Sequence, residues 1–102
     1  MVKHIVLFKV KEGENVAGVV KIAEAALMPL VGKIEGLLSA EIKQTFAGMD
    51  IALYCELESK EAMAYYADHP LHAAAKEKFT TQFGHAPLVY DVVIGDGSRK
   101  LD

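Results

Sequence analysis

Two tyrosines, an aspartate and two of the chain's four histidines fall within the run Tyr65-Tyr66-Ala67-Asp68-His69-Pro70-Leu71-His72. Histidine is the side chain whose ordinary pKa lies nearest neutral pH. Within hydrogen-bond reach it can take a proton from the carbon next to a carbonyl. A tyrosine hydroxyl can donate to the carbonyl oxygen and hold the enolate that develops. His72 is therefore the candidate base and Tyr66 the candidate donor. Pro70 interrupts any helix through the run, because proline lacks an N–H and restricts the residue before it. On an unbroken helix, residues six apart turn through about 600° and point about 240° away from each other. Only a corner at Asp68-His69 can bring Tyr66 and His72 together. The plainer reading makes His72 a packed residue of a helix's first turn. Tyr66 would then bury its ring and leave its hydroxyl at the surface.

Other candidates lie elsewhere. His4 shares a strand face with Val6 and Phe8, and there a histidine is either a satisfied core residue or part of a pocket wall. His4, Phe8 and His69 are taken as candidate pocket residues. His69 precedes proline and fits a helix N-cap or a corner, a task Asp68 could share, and neither is read as catalytic. His4, His69 and His72 have no carboxylate or cysteine motif in support, so no metal is expected. His85 is read as a loop residue, and Cys55, alternating with Leu53 and Leu57, as a small buried hydrophobe. Gly95-x-Gly97 follows a strand but opens no helix, so it fails the dinucleotide pattern and no cofactor is expected.

The composition sets the class. At 102 residues there is room for one hydrophobic core. An apolar fraction of 52% with 25% charged residues is that of a folded globule, not a disordered chain. The net charge is −3 and no basic cluster stands out, so neither nucleic acid nor an anionic membrane is an expected partner. No apolar run approaches the roughly 20 residues of a membrane span. The start goes straight into a strand pattern, and one cysteine excludes an intrachain disulfide, so a reducing cytoplasm is the expected location.

The elements that must position the candidates follow from periodicity. Residues 2–11 read as a strand, apolar on both faces at its centre. Asn15 is an N-cap for a helix carrying Val16, Val19, Val20, Ala23, Ala26, Leu27 and Leu30, with Pro29 as a kink or a new turn. Residues 37–46 read as a strand with Leu38, Ala40 and Ile42 on one face, and 51–58 as a firmer one. Ser59 caps a short helix to about Ala67, and a second piece runs from Pro70 to about Gln82. Residues 87–94 are the last strand, and 96–102 a flexible tail behind a domain of residues 1–95. The order β-α-β-β-α-β is that of the ferredoxin-like α+β sandwich, two helices on one face of a four-stranded antiparallel sheet. Its other face carries Ile5, Leu7, Ala52 and Tyr54, a patch too apolar to stay bare. A second copy packed sheet to sheet is the expected cover, giving a homodimeric α/β barrel.

Three pieces of the chain resemble a known family, the stress-responsive α/β-barrel (dimeric α+β barrel, Dabb) domains. They are Val2-Lys3-His4-Ile5-Val6-Leu7-Phe8-Lys9, the pattern Tyr66-x-x-His69-Pro70-x-His72, and Asp91 in the last strand. The resemblance covers residues 1 to about 94 and implies a ferredoxin-like chain that pairs into a barrel. It also reaches, more distantly, olivetolic acid cyclase, which closes a polyketide thioester by an intramolecular aldol step. By that resemblance Tyr66 and His72 act as a pair and His4 lines their pocket. A cofactor-independent cyclase or isomerase acting on a small apolar carbonyl compound is then one expectation. A non-catalytic module that binds a small hydrophobic ligand or a protein partner is the other.

Overall fold

The inner strand β1 (Val2–Phe8) is the axis of the sheet. In the computed structural model, which describes residues 1–95, it pairs antiparallel with β3 (Ile51–Leu57) on one side and β4 (Leu88–Val93) on the other. The strand β2 (Leu37–Gln44) completes the order β2-β3-β1-β4. The tail expected over 96–102 lies outside the described residues. Directly opposed residues of antiparallel strands share a face, so register assigns the two sides of the sheet. Val2, His4, Val6 and Phe8 lie opposite Leu57, Cys55, Leu53 and Ile51, and the first three of them also opposite Val93, Asp91 and Val89. This row faces the helices.

The helices start where the capping residues say they should. Asn15 accepts from the Gly18 N–H at 2.8 Å and opens α1 (Val16–Leu27), whose buried residues Val19, Ala23, Ala26 and Leu27 form one stripe. Pro29 sits in a 3₁₀ turn over Met28–Leu30, so the chain begins a new turn there. Ser59 accepts from the Ala62 N–H at 3.0 Å and opens α2 (Lys60–Asp68), with Glu61 in the first turn. Gly36 lets α2 approach: a Cβ there would stand 2.6 Å from the Ala62 Cβ, and its φ of +89° is in the left-handed region. His69, in extended backbone, ends α2 and caps α3 (Pro70–Glu77). Phe8, Leu27, Ile34, Ile42, Ile51 and Leu57 are wholly buried between helices and sheet. Each such side chain contributes about 1.5–3 kcal/mol.

Three sequence expectations are corrected. β1 ends at Phe8 rather than residue 11, because the Val10 N–H bonds the Asp50 carboxylate at 2.9 Å and Lys9 and Lys11 exchange backbone bonds with Gly84 and Gln82. β2 shifts register between Leu37 and Ser39, so Leu37 is buried and Leu38 is turned out. α3 stops at Glu77; a 3₁₀ turn over Thr80–Gln82 follows, and Phe79 and Phe83 on either side of it pack against Phe8.

The result is a ferredoxin-like α+β slab of 43 × 38 × 19 Å, one helix layer on one sheet. Across the sheet from the helices, Ile5, Leu7, Ala52 and Tyr54 are only half-buried. All six residues of β4 are exposed, Val89 and Val93 on the helix side as well as Leu88, Tyr90 and Val92 on the other. Among the described residues, no helix is long and apolar enough to cross a membrane.

Candidate active site

The corner between α2 and α3 is made by residues that cannot continue a helix. Pro70 has no N–H to give, and His69 turns its Nδ1 back to accept from the Leu71 N–H at 3.0 Å. The turn folds the end of α2 over the start of α3. Tyr66 and His72 then lie face to face, with ring centroids 4.0 Å apart and planes 23° from parallel. Tyr66 is 1% exposed and His72 8%.

Beneath this pair, the sheet supplies two more titratable groups. His4 and Asp91 are opposed across β1 and β4, and Nδ1 of His4 lies 2.5 Å from Oδ1 of Asp91. An ionised carboxylate only accepts hydrogen bonds, so Nδ1 is the donor. The His4 ring meets Tyr66 edge-on at 6.1 Å. The Tyr66 hydroxyl reaches inward to the Cys55 sulfur, 4.0 Å away.

A cavity of about 510 Å³ connects these groups. His4, Asp91, Tyr66 and His72 line it, with Val6, Leu27, Leu53, Met63 and Phe79 among its apolar wall and Lys76 and Thr80 on α3 and just beyond. Its size fits a small organic molecule, and a few polar groups converging in apolar walls is the usual make-up of a small-molecule site.

The electrostatics follow from burial. Burial pushes the His72 pKa below its ordinary value, helped by Lys76 one turn later and by His4. The Ala67 and Tyr66 carbonyls oppose the shift more weakly. No bond of accepted geometry reaches Nδ1, which is buried without a hydrogen-bond partner among the described residues. Burial pushes the Tyr66 hydroxyl far above the usual phenol range, and Cys55 adds to the shift. The Cys55 thiol is pushed up to about 11, also by burial, with the Tyr66 hydrogen bond acting against it.

The sequence candidates thus separate. Tyr66, His72 and His4 come together at one cavity. Phe8 does not line it; its ring is buried behind, against Phe83 at 4.3 Å. His69 lies on the outer side of the corner, edge-on to Tyr65 at 5.3 Å, beside a separate depression. Tyr66 departs from the plainer reading: its ring is buried, but its hydroxyl points inward to Cys55 and not to the surface. Asp91 went unassigned as a site residue. Its signal was a lone charge in the row Val89, Asp91, Val93, legible only once that row is known to face His4. Among the described residues, no group of three or more His, Cys, Asp or Glu is placed to hold a metal ion.

Comparison with known proteins places the fold. Residues 2–94 match the model of the stress-responsive A/B barrel domain. A dimeric ferredoxin-like protein of unknown function from Bacteroides fragilis NCTC 9343 is similar at 27% identity and a TM-score of 0.79, over 91% of this chain and 95% of that one. An Arabidopsis thaliana protein is similar at 25% identity and a TM-score of 0.77, over 97% of this chain and 100% of that one. A hydroxynitrile lyase of Passiflora edulis shares the fold, with 13% identity and a TM-score of 0.76 over 96% of each chain. None of the curated proteins matches the sequence. With its first strand, its Tyr66-x-x-His69-Pro70-x-His72 corner and its last strand all inside the matched span, the chain belongs to the stress-responsive A/B barrel (Dabb) domain family.

Proposed function

We propose that the cavity is the active site of a small enzyme that moves protons on an apolar carbonyl compound. His72 is the base and Tyr66 a hydrogen-bond donor to the substrate oxygen. The observation that carries this reading is the meeting of the His72, Tyr66 and His4 side chains at one apolar-walled cavity. The lowered pKa keeps the His72 ring neutral, as a base must be, at neutral pH. The raised pKa of Tyr66 keeps its hydroxyl protonated and able to donate. Its present contact with sulfur, at 4.0 Å, is weak and easily exchanged for an oxygen. The reaction class is proton abstraction beside a carbonyl, followed by ring closure or isomerisation. A hydroxynitrile lyase stands on the same fold, so the fold is compatible with catalysis on small molecules; no residue role is carried over from it.

Deuterium uptake from D2O at the α-carbons of benzylacetone tests the base. His72→Ala should slow uptake by about 10²-fold or more while the unfolding transition remains cooperative. Equal uptake by the variant and the parent protein would remove the base. A second reading, a ligand-binding module without catalysis, is favoured by the direction of the Tyr66 hydroxyl, inward to Cys55. It requires that benzylacetone bind both forms alike and exchange with neither.

The cover for the open sheet face is a second copy of the chain. Ile5, Leu7, Tyr54, Leu88, Tyr90 and Val92 present a continuous apolar surface there. Surfaces of that kind mark interaction sites, and a two-fold pairing covers both at once. The similar protein from Bacteroides fragilis is described as dimeric.

A further inference from the structure

His72 can remove a proton, but the carbonyl oxygen must receive one, and Tyr66 is poorly suited to give its own away. Burial holds its hydroxyl protonated, so it can donate a hydrogen bond yet resists ionising. Two other residues of the cavity lining carry a side-chain nitrogen, His4 and Lys76, and His4 is the one held in place by a carboxylate. His4 is 7% exposed and lines the cavity, and its Nδ1 is committed to Asp91 at 2.5 Å. That bond fixes the tautomer and the tilt of the ring, leaving Nε2 as the exchanging nitrogen. The charge that the ring carries when it holds both protons faces the Asp91 carboxylate. Around His4 stand Asp91 from β4, Cys55 from β3, Tyr66 from α2, and His72 and Lys76 from α3.

We infer that His4, held by Asp91, is the second proton-transfer residue of the cavity, its doubly protonated ring delivering a proton from Nε2 to the substrate's carbonyl oxygen as His72 takes one from the α-carbon. The inference rests on the base role of His72. In the step, the α-C–H bond breaks and its electron pair becomes the C=C bond of the enol. The carbonyl π pair moves to oxygen, which bonds the Nε2 proton. His72 ends with the proton that carbon lost, His4 without the one that oxygen gained, and solvent restores both. His4 touches the reacting oxygen; Asp91 acts through it as a positioning residue.

Asp91→Asn and Asp91→Glu test the arrangement. Asp91 lies on an exposed strand with a side chain 46% accessible, so neither change opens the core. An asparagine amide can offer its own N–H to Nδ1 and so hold the other tautomer. The full chain, labelled with 15N-histidine, should show Nδ1 of His4 protonated throughout a pH series in the parent, with Nε2 the nitrogen that takes up and releases the second proton, and a gain of the neutral Nε2–H form in Asp91→Asn. In D2O, benzylacetone exchange by Asp91→Asn should fall about 10²-fold with KM within about threefold of the parent, and Asp91→Glu should recover part of the loss. An Nε2–H tautomer in the parent, or parent-like exchange by Asp91→Asn, overturns the pair while leaving His72 as base. A parent protein that exchanges no deuterium overturns the base and the acid together.

Discussion

At the scale of single residues, burial makes Cys55 and His72 behave unlike their free counterparts. Cys55, with its thiol pushed up to about 11, is almost wholly protonated near pH 8, where roughly 0.1% would be thiolate. Iodoacetamide at pH 8 should therefore leave the native chain unlabelled and modify Cys55 fully in urea. Rapid labelling of the folded protein would contradict that environment. His72 gives a pH signature. Its pKa is lowered on folding, chiefly by burial, so the unfolded chain binds a proton the folded chain resists. The stability this group contributes is complete above the unfolded value of about 6.5 and is lost as pH falls from there through the lowered folded value. The urea midpoint should drop between pH 7 and pH 5, and the drop should be smaller in His72→Gln. Identical slopes in the two proteins would show that some other group carries the acid sensitivity.

At the scale of elements, the corner between α2 and α3 decides whether the cavity has a working wall. His69 caps α3 through Nδ1, so His69→Ala should cost about 1 kcal/mol of stability, and His69→Asn should recover most of it. The same pair of variants should lower and restore benzylacetone exchange, although His69 lines no part of the cavity. A drop in stability with exchange unchanged would show that the corner holds without its cap. Much at this scale was legible in advance. Asn15 and Ser59 mark helix starts through hydrogen bonds a local sequence can state, Pro70 marks one by its missing N–H, β-branched runs mark β1 and β4, and apolar alternation marks β3. The misplacements have a common cause. Alternation groups Leu38 with Ala40 and Ile42 because it cannot see the register shift at Leu37 and Ser39. Periodicity runs β1 on to residue 11 and the last helix on to Gln82, because the bonds between Val10 and Asp50, Lys11 and Gln82, and Gly84 and Lys9 join distant parts of the chain. The stacking of Tyr66 on His72 was foreseen only as convergence, since a proline announces a corner without giving its angle. The pairing of His4 with Asp91 needed strand register, which one strand's sequence does not contain.

At the scale of the whole molecule, a slab 19 Å thick can cover only one side of its sheet. Pairing through the open face should give a particle of twice the 11.1 kDa chain mass by light scattering at low micromolar concentration. Tyr90→Arg would place a charge in the middle of that face and should return the single-chain mass with the fold retained. A parent protein already at the single-chain mass would require another cover for Ile5, Leu7 and Val92. The topology also has a bearing on how the molecule is made. His4 and Asp91 are 87 positions apart in sequence yet share one hydrogen bond. A nascent chain therefore leaves the ribosome with its opening strand lacking one neighbour until the closing strand emerges. The cavity is completed only once β4 has been made, and a product cut short before β4 would keep the helical corner while losing the carboxylate beneath it.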